Sequence, residues 1–364
     1  MRIPLSRPTI DAADRAAVLE VLEGTCLALG PRTEELEARF ESRFGLPTAL
    51  VSSGTAALYL SLRALGVTGG EVITPSYGFI ATAHAIALAG ATPRFADVDP
   101  ETGCLTVATL ERAAGPKVRA VVPVHIFGTP APVDEIVAWG EARGVPVLED
   151  ACEALGSFRR GKEAGTIGDA GTFAFYPNKQ MTLGEGGLVV SRHEAVIEQV
   201  RRERNQGRVA AGLSFAGPGF NFRITELQAA LGLAQLDRVD RWIEARDALA
   251  MRYTEDFAGH PAISTLPPVP AGDHRSWFAY PIFLRDEKSR NGVREALDRA
   301  EIDSAPYFPA IDRSPPYDEA PREPETLPAT RNLSSRGLAI PFFPDLSESD
   351  RQRVVETTLR AVGD

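Results

Sequence analysis

Cysteine, histidine and lysine are scarce in this chain, and no apolar run approaches the length needed to span a bilayer. The three cysteines, Cys26, Cys104 and Cys152, share neither a pairing pattern nor a metal-ligand spacing, which points to a reducing cytoplasm. The five histidines are scattered, which argues against a zinc hydrolase. The most apolar stretch, 80–91, is interrupted by Thr82 and His84 and falls well short of about 20 residues. The opening segment MRIPLSRPTID has no apolar core of signal-peptide length. There is no long Lys/Arg block either, and the net charge of −10 argues against a nucleic-acid surface. The densest basic cluster, Arg201-Arg202-Glu203-Arg204, follows an amphipathic run and reads as a solvated helix face. What is present is ordinary for a globular protein: 364 residues, 44% hydrophobic and 24% charged, enough for a large core and two domains.

From residue 47 to about 190, short apolar runs alternate with helical patterns. Candidate strands fall at 48–52, 71–74, 92–96, 120–124, 146–149, 171–175 and 187–191, with helix-like segments at 56–65, 81–90 and 132–144. This alternation predicts an α/β domain with a mostly parallel, doubly covered sheet. Only a loop separates the last two strands, a local departure that admits an antiparallel pair. Upstream, Leu36, Phe40 and Phe44 form a helix stripe. Downstream, 224–257 reads as one long helix with Leu227, Leu231, Ala234 and Val239 on or near one face. It is long enough to lead out of the first domain. Proline density then rises, and a strand followed by two helices suggests a smaller α+β unit.

Three segments carry chemistry. SSGTAAL at 52–58 follows a strand and opens a helix, where free N–H groups and the helix dipole suit a phosphate. Gly54 permits close approach and Thr55 adds a hydroxyl, although Ser53 or Thr55 acting as a plain helix cap explains the segment as well. In VPVLEDACEALG, Asp150 sits at a strand end on the ligand-binding edge of an α/β sheet. A carboxylate there can keep a pyridine nitrogen protonated, but Asp150 and Glu153 also match a capping box. In GTFAFYPNKQMTLGEGG, Lys179 lies between an aromatic strand and a glycine-rich loop. Alone it reads as a solvated loop lysine; in a tightly shaped loop it reads as a nucleophilic amine.

Phosphate turn, strand-end carboxylate and later lysine stand in the order that would hold pyridoxal 5'-phosphate (PLP) by its phosphate, ring nitrogen and aldehyde. Together with IPLSRPTID, LGPRTEELEARF, EVITPSYGFIATAHAI, GFNFRITELQAALGLAQL and YFPAIDRSPPY, these segments make nearly the whole chain resemble the DegT/StrS-type sugar aminotransferases. The resemblance implies PLP-transferase fold type I. It places a large domain at 1–245, with an N-terminal helical arm and a mixed, mostly parallel seven-stranded sheet flanked by helices, and a smaller α+β C-terminal domain at 246–364. It implies that Lys179 bonds to the cofactor's aldehyde and then shuttles a proton, and that Asp150 pairs with the ring nitrogen. Gly54 and Thr55 would hold the phosphate, and Phe79 would stack on the ring, where context alone reads a core aromatic. Asn221, otherwise a turn asparagine, would reach the phosphate of a neighbouring subunit's cofactor, making a homodimer the functional unit.

Two positions depart from the family pattern. Glu153 stands where Gln or His is usual, near the cofactor's 3-hydroxyl, and Ala174 stands where many members carry a phosphate-binding serine. Losing that hydroxyl costs roughly 1 kcal/mol or more. The implied reaction moves an amino group from L-glutamate to a keto sugar, nucleotide-linked, in amino-sugar, surface-polysaccharide or secondary-metabolite synthesis. A cyclitol or other cyclic ketone is the alternative acceptor, and a regulatory protein of the same fold is the alternative role. Dehydratases of this fold carry histidine in place of the lysine, which Lys179 argues against. Specificity is expected in loops 208–218, 274–280 and 305–317, where Trp277, Tyr307 and Arg313 are candidate contacts if they are not simply core or surface residues.

Overall fold

The computed structural model describes residues 2–209 and 214–363; four residues of the 208–218 loop lie outside them. Seven strands appear where the alternating pattern predicts them: β1 (Thr48–Val51), β2 (Glu71–Pro75), β3 (Thr92–Ala96), β4 (Val118–Val121), β5 (Leu148–Asp150), β8 (Ala170–Ala174) and β9 (Gly187–Ser191). A small hairpin, β6 (Phe158–Arg159) and β7 (Lys162–Glu163), lies between β5 and β8. One sheet runs β1-β9-β8-β5, and a second runs β12-β3-β2-β4, where β12 is Arg322–Glu323. All pairings in these two sheets are parallel except those of β9, which is antiparallel to both neighbours. The loop-joined pair at 170–191 is thus antiparallel.

Between the two sheets the ladder thins to single bridges, Val121 to Val147 and Val124 to Asp150. Pro123 and Pro146 explain the gap, because neither has an N–H to donate. Pro123 still accepts from the Asp150 N–H at 2.9 Å, and Asp150 O accepts from His125 N–H at 3.0 Å. The strands expected at 120–124 and 146–149 therefore form shifted by about two residues.

Helices α1 (Ala12–Glu23), α2 (Pro31–Phe44), α3 (Gly54–Ala64), α4 (Ala81–Leu88), α5 (Val107–Ala113), α6 (Val133–Glu141) and α7 (Glu194–Glu203) accompany these strands. Side-chain alternation shows that both faces are covered. Leu50 of β1 joins Leu36, Phe40, Phe173 and Leu188, whereas its neighbours Ala49 and Val51 join Ala57, Leu60, Val189 and Ile197.

The segment 224–257 is two helices, not one: α8 (Glu226–Leu236) and α9 (Val239–Phe257). The break turns Val239 into the core, while Arg238 reaches Asp11 and Asp14 at the start of α1. The buried face of α8 also differs from the expected stripe. Leu227, Leu231 and Ala234 are half-buried, and Ala229, Ala230 and Gly232 face inward. Small residues win there because α2 lies so close that a Cβ on Gly232 would sit 2.6 Å from Leu36 Cδ2.

Helix α9 passes from one core to another. Trp242 and Ile243 pack with the first sheet, while Leu249, Tyr253 and Phe257 pack with β10 (Ile263–Thr265), β11 (Tyr280–Leu284) and β13 (Gly337–Ile340), an antiparallel sheet in the order β10-β11-β13. Helices α10 (Glu287–Arg299), α11 (Pro328–Arg336) and α12 (Glu348–Val362) complete the C-terminal part. Two segments cross back. Ile3 is buried in this last core, and 305–336 returns to the first part, with Phe308 and Leu333 beside Ile73 and Tyr77.

Candidate active site

The phosphate turn is built by the register of β1. Its strand hands over to α3 at Ser53, whose hydroxyl oxygen accepts from the Ala56 N–H at 3.1 Å. Ser53 is therefore the cap, and the Thr55 hydroxyl is not used for that purpose. Among the described residues the N–H groups of Gly54 and Thr55 have no partner, as an anion site at a helix start requires. A Cβ on Gly54 would lie 2.7 Å from Ala174 Cβ and 3.0 Å from Cys152 Sγ, so only glycine fits. The serine-to-alanine departure at Ala174 thus lies against the turn itself.

Asp150 ends β5 and is buried. Its Oδ2 accepts from the Thr82 hydroxyl at 2.6 Å and its Oδ1 from the Cys152 N–H at 3.1 Å. No helix follows, so the capping-box reading of Asp150 and Glu153 fails: the two carboxylates have separate jobs. Glu153 Oε2 accepts from the Phe127 N–H at 2.8 Å, and Oε1 lies 3.9 Å from Lys179 Nζ. Burial pushes Glu153 up to about 7, against the pull of Lys179 and the Phe127 N–H, with the Asp150 charge adding to the rise.

Lys179 is not a solvated loop lysine, for its side chain is only 13% exposed. Its ammonium lies 3.8 Å from the centre of the Phe278 ring, a cation–π contact. Its backbone is fixed from both sides: its N–H donates to Tyr176 O at 2.9 Å, and its carbonyl accepts from Arg246 at 3.2 Å. Arg246 also donates to the carbonyls of Trp277 and Phe278, both at 3.2 Å, so one buried guanidinium holds the lysine and the ring beneath it. With only carbonyl partners, Arg246 is lowered to about 10 by burial.

Phe79 is 61% exposed, which overturns its reading as a core aromatic and leaves its face free. It meets Phe308 edge-on, and Phe308 stacks on Phe127, whose N–H binds Glu153. Asn221 is exposed too. Its neighbour Phe222 accepts from the Ser52 N–H at 2.8 Å, beside the phosphate turn, but among the described residues no hydrogen bond joins Asn221 to Gly54, Thr55 or Lys179. Of the specificity candidates, Trp277 and Tyr307 are partly buried against the aromatic core and Arg313 is exposed.

Several supports had no signal of their own in the sequence: Thr82, Phe127, Phe278 and Arg246. Behind Asp150, fully buried Glu149 accepts from the N–H groups of Gly165, Ile167 and Gly168 and pairs with His125 at 2.9 Å. His125 Nδ1 accepts from the Ala131 N–H at 3.0 Å, so its Nε2 carries the proton that faces Glu149. An open groove of about 720 Å³ lies along α10 between Arg2, Arg294 and Asp303 and contains none of these groups. A half-buried amine, a strand-end carboxylate and unpartnered helix N–H groups fit an aldehyde, a ring nitrogen and a phosphate, respectively.

The model of the DegT/DnrJ/EryC1/StrS aminotransferase family matches residues 8–359. The aminotransferase TlmJ from Streptoalloteichus hindustanus is 30% identical, with a TM-score of 0.95 over 100% of this chain and 99% of that one. The sugar aminotransferase CalS13 from Micromonospora echinospora is 30% identical, with a TM-score of 0.90 over 98% of each chain. Spr1654 from Streptococcus pneumoniae, in its PLP form, is 26% identical, with a TM-score of 0.93 over 100% of this chain and 99% of that one. The chain belongs to the DegT/DnrJ/EryC1/StrS aminotransferase family and is a PLP-dependent aminotransferase.

Proposed function

We propose that this enzyme transfers an amino group from L-glutamate to the ketone of a nucleotide-linked sugar, with Lys179 as its catalytic residue. The observation that carries this reading is the Lys179 amine, held between the Phe278 ring and the Glu153 carboxylate. When bound, PLP supplies an aldehyde carbon for the travelling nitrogen and a ring that accepts the electrons released at the substrate carbon. Asp150, steadied by Thr82, holds the proton on the ring nitrogen. Gly54 and Thr55 bind the phosphate through backbone N–H groups and a hydroxyl, and Phe79 offers a free ring face. Lys179 Nζ takes the proton from the donor's α-carbon and delivers it one position away, reversing the transfer for the acceptor.

The same reading takes the two four-stranded sheets as one continuous mixed sheet with seven main strands, in a domain that ends within α9. It also takes the working unit as a cytoplasmic homodimer in which Asn221 serves the partner's site. Exposed Leu19 and Leu22 of α1 and Leu27 just after it, together with exposed Asn221, support a partner surface. No helix among the described residues is long and apolar enough to cross a membrane.

Initial rates with PLP, glutamate and a panel of nucleotide-linked keto sugars test the reading. Parallel double-reciprocal lines and 2-oxoglutarate release are expected, as for two half-reactions. Intersecting lines, or turnover of cyclitol ketones only, would overturn it.

A further inference from the structure

The Glu153 carboxylate has one oxygen committed and one free. Oε2 takes the Phe127 N–H, while Oε1 has no hydrogen-bond donor among the described residues and points to Lys179 Nζ at 3.9 Å. The other groups facing Glu153 are poorly suited to exchange a proton with this lysine. Both Asp150 oxygens are engaged by Thr82 and by the Cys152 N–H. Tyr77 donates its hydroxyl to Tyr307 O at 3.0 Å, and burial pushes both Tyr77 and Tyr307 further up from a value already above the physiological range. The Glu153 backbone is fixed as well, because Gln180 donates to its carbonyl at 2.7 Å. Gln180 is the residue after Lys179, so this bond ties the backbones of the two partners together.

We propose that Glu153 is the proton acceptor that converts the Lys179 ammonium into the neutral amine able to bond to the cofactor's aldehyde. This rests on Lys179 being the cofactor lysine. The step breaks one N–H bond on Nζ, which keeps the electron pair, and forms one O–H bond on Oε1. A cation and an anion become two neutral groups, so net charge in the buried site is unchanged and neither charge has to be kept desolvated. Closing 3.9 Å to hydrogen-bond range takes a shift of about 1 Å at the end of the unbranched lysine chain. An acceptor whose own ionisation lies near neutrality suits this exchange, and burial brings Glu153 to about 7. The proton would return to Nζ when the lysine is next released.

The test is PLP capture by the full chain stripped of cofactor, followed by visible absorbance from pH 6 to 10. Glu153→Gln is expected to slow capture by at least about 10-fold at pH 7, and the gap should close towards pH 10, where hydroxide is abundant enough to take the proton in place of Glu153. Equal rates at pH 7, or a slowing that is the same at every pH, would overturn the proposal. Lys179→Ala is run beside it; undiminished covalent capture in that variant would overturn the assignment of Lys179 itself. A second measurement does not depend on Glu153→Gln folding. The infrared band of a protonated buried carboxyl should persist to higher pH in Lys179→Ala than in the wild type, because the acid has lost its cation. An unmoved midpoint would refute the pairing.

Discussion

Glu153 bears on stability as well as on chemistry. Its carboxyl ionises near 4.5 in an unfolded chain and at about 7 in the fold, chiefly because it is buried. A raised folded value contributes stability that is fully present below pH 4.5 and has been lost once pH passes 7. The difference corresponds to roughly 3 kcal/mol. Glu153→Gln keeps an oxygen for the Phe127 N–H and removes the ionisation. Thermal unfolding of the cofactor-free protein should therefore show the variant gaining on the wild type between pH 5 and 8; a constant gap would contradict this. The carboxylate was legible at this scale, because a single residue departs from a recognisable pattern. Its partner Phe127 was not, and neither was Arg246, which holds the Lys179 backbone. Phe127 is distant in sequence and donates from its backbone, and Arg246 sits in an amphipathic helix, where an arginine reads as solvated. Which cation is buried without a carboxylate partner depends on how α9 docks, and nothing local specifies that.

Helix α2 has Gly30 at its N-cap and therefore no capping side chain of its own. Glu226, at the start of α8, supplies one from elsewhere in the chain. Its carboxylate accepts from the N–H groups of Gly30, Arg32 and Thr33 and from the Thr33 hydroxyl. Burial alone would raise its ionisation, but these donors outweigh that and hold it below the usual carboxylate value. Two residues later, Gln228 completes the Thr225 capping box of α8 and donates to Glu185 O at 2.6 Å in the glycine-rich loop after Lys179. The E-x-Q pattern thus ties the N-terminal arm and the lysine loop to one helix start. Glu226→Gln should cost about 1–3 kcal/mol in urea unfolding at pH 7. A depressed folded value gives stability that is present above the unfolded value and lost as pH falls through the folded one, so the gap should shrink in acid. The motif itself was plain in the sequence. Its use as a cap for a helix nearly 200 residues away was not, since capping rules look only a few residues from a helix end.

The alternating pattern located all seven main strands and the antiparallel exception within a couple of residues, because strand periodicity is a local property. It missed β12 at the edge of the second sheet, where a two-residue strand leaves no periodicity to read. It also ran α8 and α9 together, because Asp237 and Arg238 are ordinary helix residues and only tertiary ion pairs mark the break. Cross-links between the ends of the chain were likewise hidden. Ile3 is 3% exposed in a core made of residues beyond 248. Ile3→Ala should lower stability by about 3 kcal/mol in urea unfolding, with the extra hydrogen exchange confined to β11, β13 and α12. A cost below about 1 kcal/mol would show that this strap carries little of the fold.

The strap also imposes an order on synthesis. The Ile3 N–H waits for Glu301 O, and Leu5 O waits for the Phe342 N–H. At 5–20 residues per second, roughly 20 to 70 s separate the emergence of Leu5 from that of its partner. Residues 3–5 are thus synthesised long before they can be placed, and until then they trail unpaired from a growing, half-finished domain.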